Sequence, residues 1–216
     1  MTFEPRLDIL PAPQRQLWPE LATIAPRHVL YGGTALALRL GHRESIDFDF
    51  FSHDDLEATE LDALPWLRGS TMLQESANTR TVLVERGGPI KISFFGAIRF
   101  GRVGEPETTA DGTLRVASME DLGGTKIKAL LQRIEAKDYR DVEALIRSGI
   151  PLSRILGAAQ TLFGPSFNSL VARKALCYFE GGDLDTLDAS IRERLIAEAT
   201  RAAEDESLAL RASRLD

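Results

Sequence analysis

Two aspartates spaced two residues apart are the strongest candidates for chemistry in this sequence. Asp47 and Asp49 lie in the segment IDFDFF, in which apolar and acidic residues alternate. On a β-strand, a period of two places both carboxylates on one face and the side chains of Ile46, Phe48 and Phe50 on the other. Carboxylate oxygens are the hard ligands that Mg²⁺ prefers. The segment therefore predicts a strand whose exposed face holds Mg²⁺ ions that bridge phosphate groups.

A glycine turn precedes this strand by about a dozen residues. The apolar run 28–31 predicts a short strand, and the helix formers that follow the turn, in 34–40, predict a helix. Backbone N–H groups at the start of that helix, the positive end of its dipole and a threonine hydroxyl would form an anion site suited to a triphosphate. The predicted nucleotide-binding residues are Gly32, Gly33, Thr34, Arg43 and Ser45.

Each of these features has a simpler explanation when it stands alone. A Gly-Gly pair before a helix is more often only a tight turn, and an Asp-X-Asp on an edge strand is most often a solvated face. Here the glycine-led helix, the acidic face and the aromatic face occur together. The combination favours phosphoryl or nucleotidyl transfer.

Basic residues recur in the second half of the chain. Lys126, Arg133 and Lys137 are spaced at i, i+7 and i+11, which on one continuous helix would place them within about 20° of a single line. We expect this basic stripe to face Asp47 and Asp49 across a cleft. The alternative is a solvated basic face that pairs with three nearby carboxylates. These are Glu135, Asp138 and Asp141.

The organisation of the chain predicts an α+β fold, in which a mixed sheet with flanking helices is followed by a helical C-terminal half. Short apolar runs between Gly, Pro and Asp turns predict strands near 71–76, 80–86, 90–95 and 113–117. Helical periodicity then predicts helices near 119–135, 138–148, 152–163, 166–180 and 185–203. We therefore expect an α/β domain over 1–117 and a helical domain over 118–216 that packs against it to form the cleft.

Composition restricts the class of protein. The 216 residues are 44% hydrophobic and 27% charged, as in ordinary globular proteins. The net charge of -6 argues against indiscriminate nucleic-acid binding. The single cysteine cannot form an internal disulfide, and no apolar run approaches the roughly 20 residues that cross a bilayer. These features predict a cytoplasmic protein with no membrane partner.

The two blocks of motifs together resemble a known family. The pattern GGT followed by Arg-X-Ser-X-Asp-X-Asp is similar to the nucleotidyltransferase signature of the AbiEii/AbiGii toxins, the type IV toxin–antitoxin nucleotidyltransferases that include the MenT toxins. The segment KIKALLQRIEAKDYRDVEAL resembles the later motif of that family. The matching positions in this segment are Lys126, Arg133, Lys137, Asp138 and Asp141. The resemblance spans roughly residues 30 to 146.

The resemblance implies a Mg²⁺-dependent enzyme of the nucleotidyltransferase fold that transfers NMP from an NTP to an acceptor hydroxyl and releases pyrophosphate. It implies an RNA acceptor, for example the 3′ end of tRNA, and a toxin of a toxin–antitoxin or phage-defence system that a cognate antitoxin protein neutralises. Lys126 would contact the nucleotide phosphates, with Arg43 as a second possibility. The residues expected for catalysis are Asp47, Asp49, Lys126 and Asp138, and those expected for acceptor binding are Arg133 and Lys137.

One position departs from the expected site. Nucleotidyltransferases of this fold commonly carry a third carboxylate on a later strand, where it helps to activate the attacking hydroxyl. The matching strand, IKISFF, presents Lys91, Ser93 and Phe95 on its outward face, so the expected position holds Ser93. Three explanations remain open. Two carboxylates suffice, another acid such as Asp138 or Glu85 substitutes, or catalysis has been lost.

Loss of catalysis would make the chain a nucleotide-binding or partner-binding module on the same fold. A further alternative is transfer of the nucleotide to a protein or small-molecule hydroxyl, as in the antibiotic-modifying relatives of this fold. None of the motifs identifies the base of the NTP, because base recognition depends on side chains outside them.

Overall fold

Two compact units make up the protein. The computed structural model describes residues 1–201 and 204–216. The sheet unit comprises Met1–Gly101, Glu105–Ser118 and Ala212–Asp216, and the helical unit comprises Arg102–Gly104 and Met119–Arg211. The end of the chain thus belongs to the unit that contains its beginning. The predicted α+β class, with a mixed sheet and flanking helices, is confirmed.

A mixed sheet of eight strands forms the centre of the sheet unit, within the described residues. The strands are β1 (Thr2–Phe3), β2 (Val29–Tyr31), β3 (Asp47–Phe51), β4 (Thr71–Ser76), β5 (Thr79–Glu85), β6 (Pro89–Phe95), β7 (Glu107–Thr109) and β8 (Arg115–Val116). Their order across the sheet is β1-β7-β8-β2-β3-β6-β5-β4. Because β3 is antiparallel to β2 and parallel to β6, the acidic strand is an internal strand and not an edge.

The strands β4, β5 and β6 form an antiparallel meander. Gly87 turns the chain between β5 and β6 with a φ of 71°, a conformation that glycine adopts without a steric penalty. The sequence did not predict β1 and β7, since strands of two and three residues are too short to show an alternating pattern.

The acidic strand begins one residue later than predicted. Ile46, which the alternation assigned to the same strand face as Phe48 and Phe50, lies before the first residue that pairs with β6 and is 65% exposed. Phe48 and Phe50 are both fully buried. The ring of Phe50 stacks on that of Phe94 with centroids 5.2 Å apart. These rings fix β3 from its apolar side, which directs the carboxylates to the other side.

Three of the described α-helices belong to the sheet unit: α1 (Ala12–Leu17), α2 (Gly32–Leu40) and α3 (Ala58–Asp62). The helix α2 starts at the glycine turn, as predicted, and ends at Gly41, whose φ of 62° forms a left-handed C-cap. Leu36 and Leu38 are fully buried, and α2 contacts both β2 and β3. Packing on the sheet therefore holds the N-terminus of α2 in place.

Five described α-helices lie in the helical unit. They are α4 (Met119–Leu130), α5 (Ala136–Arg147), α6 (Leu152–Phe163), α7 (Ser169–Ala175) and α8 (Ala189–Thr200). The prediction of one helix over 119–135 is wrong, because α4 ends at Leu130 and α5 begins at Ala136. The predicted end of the last helix at residue 203 lies outside the described residues. None of the helices that the structure describes is long and apolar enough to cross a lipid bilayer.

Candidate active site

The two aspartates lie on one face of β3, as the alternation of its residues predicts. Both side chains are partly exposed, whereas the residues between and after them are buried. On β6, Lys91 lies opposite Asp47 and Ser93 lies opposite Asp49. On β2, Tyr31 lies opposite Asp49. Because hydrogen-bonded neighbours flank β3 on both sides, the two carboxylates project from a rigid part of the sheet.

The N-terminus of α2 lies against this acidic face. A methyl group built on Gly32 would stand 2.7 Å from Asp49 Oδ2. One built on Gly33 would stand 2.6 Å from Arg43 Nη2 and 2.8 Å from Ser45 Oγ. All three distances are shorter than real carbon contacts, so any larger residue at the turn would displace a neighbouring side chain. The structure thus brings five of the predicted site residues together at one turn.

Thr34 links the glycine turn to the acidic strand. It is fully buried, and its Oγ1 donates a hydrogen bond to the carbonyl oxygen of Asp47. The carbonyl oxygen of Ser45 lies 3.5 Å from the same hydroxyl. The hydroxyl is therefore engaged with the protein backbone, and what α2 offers to an anion at this point is its backbone N–H groups.

Ser93 lies beside Asp49 at the position where a third carboxylate is expected. The serine is 2% exposed, and the Oγ1 of Thr81 on β5 donates a hydrogen bond of 3.2 Å to its Oγ. Glu85, one of the predicted substitutes, lies opposite Pro89 at the far end of β5. That position is about 13 Å along the strand from Thr81. Glu85 is therefore poorly placed to act beside Asp49.

A lysine stands next to the aspartate pair. Lys91 Nζ lies 3.3 Å from Asp47 Oδ2, and the two side chains are 44% and 31% exposed, respectively. The alternation of IKISFF predicts that Lys91 points outward, but no motif in the sequence connects it with Asp47. The signal was incomplete because the neighbour of β6 depends on the order of strands in the sheet, which residue patterns do not reveal.

The donor set of this face fits a hard divalent cation. Asp47 and Asp49 contribute carboxylate oxygens from one face of one strand. Mg²⁺ is commonly held by one or two carboxylates, with water and phosphate oxygens in its other positions. Among the described residues, no group of three or more His, Cys, Asp and Glu side chains forms a metal site. A cation on this face would therefore need oxygens from the substrate and from water to complete its shell.

A buried ion cluster lies within the helical unit. Lys126 Nζ is 3.2 Å from Asp138 Oδ1 and 2.6 Å from Asp141 Oδ2. Both carboxylates are fully buried, and Lys126 is 5% exposed. Arg133 donates to Asp138 from Nε at 2.7 Å and from Nη2 at 3.0 Å. Burial, and to a lesser extent the charge of Asp138, raises the pKa of the adjacent Tyr139. The alternative prediction, pairing with nearby carboxylates, is thus observed. Lys126 pairs with Asp138 and Asp141 in the interior, whereas Arg133 and Lys137 also pair with Glu135 at the surface.

The predicted basic stripe on one continuous helix is wrong. The helix α4 ends before Arg133, and Lys137 belongs to α5. Lys137 Nζ lies 2.8 Å from Glu135 Oε2, and both side chains are well exposed. A distant acid supports the new helix start, because Asp183 Oδ1 accepts a hydrogen bond of 2.6 Å from the backbone N–H of Ala136. That contact satisfies one of the free N–H groups that every helix start presents.

The glycine turn, the acidic strand and the later ion cluster occur in the order of a known family. The family model of the AbiEii nucleotidyl transferase toxin, of the type IV toxin–antitoxin systems, matches residues 17–214. The chain belongs to the AbiEii toxin family. The match confirms the resemblance read from the motifs, and it extends well beyond the segment that carries them. Membership supports nucleotidyl transfer in a toxin–antitoxin setting.

Two further similarities agree with this assignment of the AbiEii chain. An uncharacterised protein of Aquifex aeolicus (strain VF5) is 32% identical over 158 residues, which cover 70% of this chain and 73% of that protein. Among solved structures, a crystal structure of a candidate nucleotidyltransferase from H. pylori superimposes with a TM-score of 0.51 at 18% identity, over 86% of this chain and 89% of that one. At this identity the likeness shows the fold alone, and the predicted nucleotidyltransferase fold is confirmed.

Proposed function

We propose that this AbiEii protein transfers NMP from an NTP to an acceptor hydroxyl on RNA, such as the 3′ end of tRNA, with Mg²⁺ at Asp47 and Asp49. The observation that carries the proposal is the close approach of Asp49, Arg43 and Ser45 to the glycine turn of α2. Carboxylate oxygens for a metal and donors for phosphates thereby lie within one small region. A turn that served only to connect β2 to α2 would need none of these contacts.

In this proposal the triphosphate lies at the N-terminus of α2. The first N–H groups of a helix lack an acceptor within the helix, and the helix dipole favours an anion at this end. Arg43 adds a positive charge beside Gly33, and Ser45 adds a neutral donor at the same place. Together they would hold the nucleotide so that its α-phosphorus faces the acceptor hydroxyl.

Asp47 and Asp49 would hold the metal. When bound, Mg²⁺ neutralises charge on the phosphates and on the departing pyrophosphate. The protein contributes a fixed position for both carboxylates, because β3 is paired on both sides. Ser93 supplies no general base. Phosphoryl transfer depends mainly on positioning and charge stabilisation, so the reaction does not require one.

The second motif of the family adds residues from the helical unit. We propose Lys126 and Asp138 for catalysis, and Arg133 and Lys137 for binding the acceptor. Lys126 is paired with Asp138 and Asp141, so a role toward phosphate requires one of these ion pairs to open. The side chains of Arg133 and Lys137 are each 45% exposed. Arg133 is paired with Asp138 and Glu135, and Lys137 with Glu135, so the phosphates of an RNA acceptor would have to compete with these carboxylates for the two side chains.

As a toxin of a type IV system, the protein would act in the cytoplasm, where both NTPs and RNA are present, and a cognate antitoxin would oppose its effect on growth. Ser93 favours a second candidate function. With a neutral hydroxyl in place of the third carboxylate, the chain could bind Mg–NTP or a partner protein without turnover.

The test is transfer of label from each of the four NTPs to total RNA in the presence of Mg²⁺. Asp47→Asn and Asp49→Asn keep the shape of the side chain but remove the charge that holds the metal. We expect each to lower transfer by at least about 10²-fold, the scale seen when one electrostatic contact to a transition state is lost. Asp185→Asn is the matched control, because Asp185 is exposed in the helical unit.

Wild-type protein that labels no RNA, or an Asp47→Asn variant as active as wild type, would contradict the proposal. Binding of Mg–NTP without any transfer would support the second candidate function, a nucleotide-binding module without turnover. Label that appears on protein or on an added small-molecule alcohol, and not on RNA, would support nucleotidyl transfer but contradict RNA as the acceptor.

A further inference from the structure

Lys91 is a charged residue on the acidic face for which the proposed mechanism has no use. It is the only lysine in the sequence of the sheet unit, where the remaining Lys and Arg positions are all arginine. Its Nζ lies 3.3 Å from Asp47 Oδ2. The pairing of β3 with β6 places it directly beside this aspartate, two residues before Ser93.

Stability does not explain this ion pair. The two side chains are 44% and 31% exposed, and partly exposed pairs of this kind contribute little to folding because water screens them. The pair does change the charge of the face. Asp47 and Asp49 carry two negative charges, Ser93 carries none, and Lys91 removes one of the two. In the absence of nucleotide, this face therefore attracts a divalent cation less strongly than it would without Lys91. It also attracts the cation less strongly than a face with a third carboxylate at position 93 would.

We propose that Lys91 is a phosphate-binding residue of the nucleotidyl-transfer site. Before a metal-bound nucleotide arrives, its ammonium group stays paired with Asp47. The inference rests on the proposed function. A cation that binds Asp47 competes with the ammonium group for the same oxygen. The lysine side chain is a flexible four-carbon stem with a compact charge, so it can turn from Asp47 to an oxygen of the triphosphate.

This exchange couples metal binding to nucleotide binding. Without nucleotide, Lys91 weakens metal binding, because the Lys91–Asp47 ion pair must open before Asp47 can hold a metal. With nucleotide, Lys91 would turn to a phosphate oxygen, and the Asp47 carboxylate would then be available to hold the metal. The site would therefore take up metal and NTP together, and it would lose both when pyrophosphate leaves.

The test compares Lys91→Met with wild type in two binding measurements on the full chain. Binding of Mn²⁺ alone is measured by electron paramagnetic resonance, and binding of a non-hydrolysable NTP analogue is titrated with Mg²⁺ present. We expect Lys91→Met to bind Mn²⁺ alone roughly two- to fivefold more tightly, the scale of a partly exposed charge pair. We expect it to bind the analogue about tenfold more weakly, because one charge-assisted hydrogen bond is lost.

Two variants make the test specific. Lys91→Arg keeps the charge and should stay close to wild type in the titration of the analogue. Lys174→Met removes an exposed lysine of α7 in the helical unit and should change neither affinity. Equal unfolding midpoints for the three variants and wild type would show that the shifts arise at the site and not from misfolding.

Opposite shifts of the two affinities support the inference, and any other combination in Lys91→Met overturns it. RNA labelling by the wild type is scored separately. If the wild type transfers nucleotide but both affinities of Lys91→Met are unchanged, Lys91 has no such role and the proposed function stands. If the opposite shifts occur in a protein that transfers nothing, the role of Lys91 stands and the proposed function fails.

Discussion

The carboxylate of Asp49 lies directly against Gly32, so close that a methyl group on the glycine would stand 2.7 Å from Asp49 Oδ2. Gly32 also has a φ of 78°, which residues with a side chain rarely adopt. The contact thus depends on glycine for two independent reasons. It joins the start of a helix, which favours anions, to a candidate metal ligand, which is itself an anion. A bound triphosphate and Asp49 would repel each other at this helix start, and a metal ion held by Asp49 would supply the positive charge that offsets the repulsion.

Gly32→Ala should both destabilise the protein and abolish metal-dependent transfer. The left-handed backbone alone costs about 1–2 kcal/mol for a residue with a Cβ, and the new methyl would displace Asp49. Urea unfolding gives the change in stability, and RNA labelling gives the change in activity.

Gly33→Ala separates these two effects. The methyl would stand 2.6 Å from Arg43 Nη2 and 2.8 Å from Ser45 Oγ, both near the ends of side chains that can move. We expect a free energy of unfolding within about 0.5 kcal/mol of wild type and a KM for NTP raised about tenfold, because a charge-assisted contact is displaced. A Gly33→Ala variant with an unchanged KM would show that Arg43 and Ser45 do not contact the nucleotide.

Ser93→Asp should restore a third carboxylate to the acidic face. Ser93 is 2% exposed and lies beside Asp49, so a negative charge there should lower the stability of the metal-free protein by at least about 2 kcal/mol. Mg²⁺ should return much of that loss, because an ion that binds only the folded state stabilises it by mass action. Thermal unfolding with and without Mg²⁺ measures the recovery. Ser93→Asn, which has the same shape but no charge, should show no comparable gain, and equal recovery in both variants would show that a carboxylate at position 93 takes no part in holding a metal.

Lys126→Met should unfold the helical unit more easily. It would leave Asp138 and Asp141, both fully buried, without the ammonium group that lies 3.2 Å and 2.6 Å from their oxygens. Removal of one partner from a buried ion pair typically costs about 3–5 kcal/mol. Lys137→Met is the matched control, because the Lys137–Glu135 pair is well exposed and should contribute less than about 1 kcal/mol. Urea unfolding measures the loss of stability in both variants. If Lys126→Met instead unfolds at the same urea concentration as wild type but transfers no nucleotide, the role of Lys126 is purely catalytic.

His28 should make folding sensitive to acid. It is 3% exposed, and neither ring nitrogen has a hydrogen-bond partner among the described residues. Glu60 Oε2 lies 3.6 Å from its Nε2, beyond normal hydrogen-bond length. Burial lowers the pKa of His28, and the charge of Glu60 offsets this only in part. The unfolded chain therefore binds a proton more readily than the folded protein does. The stability that His28 contributes is fully present above the unfolded pKa of about 6.5 and is lost as pH falls toward the lower folded value.

His28→Leu removes the group that must take up this proton. The slope of unfolding free energy against pH, measured by urea unfolding between about pH 7.5 and 5.5, should be shallower in the variant than in wild type. At the upper end of that range the two proteins should differ by less than about 1.5 kcal/mol, since the imidazole nitrogens lack partners. Parallel pH profiles would contradict the assignment of acid sensitivity to His28.

Much of the acidic face follows from local pattern. Alternation in IDFDFF is enough to place Asp47 and Asp49 opposite Phe48 and Phe50, because a period of two is a property of the strand backbone itself. The same holds for the glycine turn, since helix formers that follow a Gly pair define a helix start within a few residues. The structure differs only at Ile46, which lies one residue before the pairing of β3 with β6 begins.

The sequence by itself therefore determined the chemical groups of the candidate site, the faces of the strand on which they lie, and the family to which the chain belongs. Tertiary structure alone decided which groups meet. Lys91 reaches Asp47 because β6 lies next to β3, and strand order is set by packing of the whole sheet. The helix is interrupted between α4 and α5, although the spacing of apolar residues there favours one continuous helix. Asp183 accepts from Ala136 there, and Lys126 pairs with Asp138 across the break. Such contacts join residues far apart in the chain, so their energy appears only when the fold brings them together.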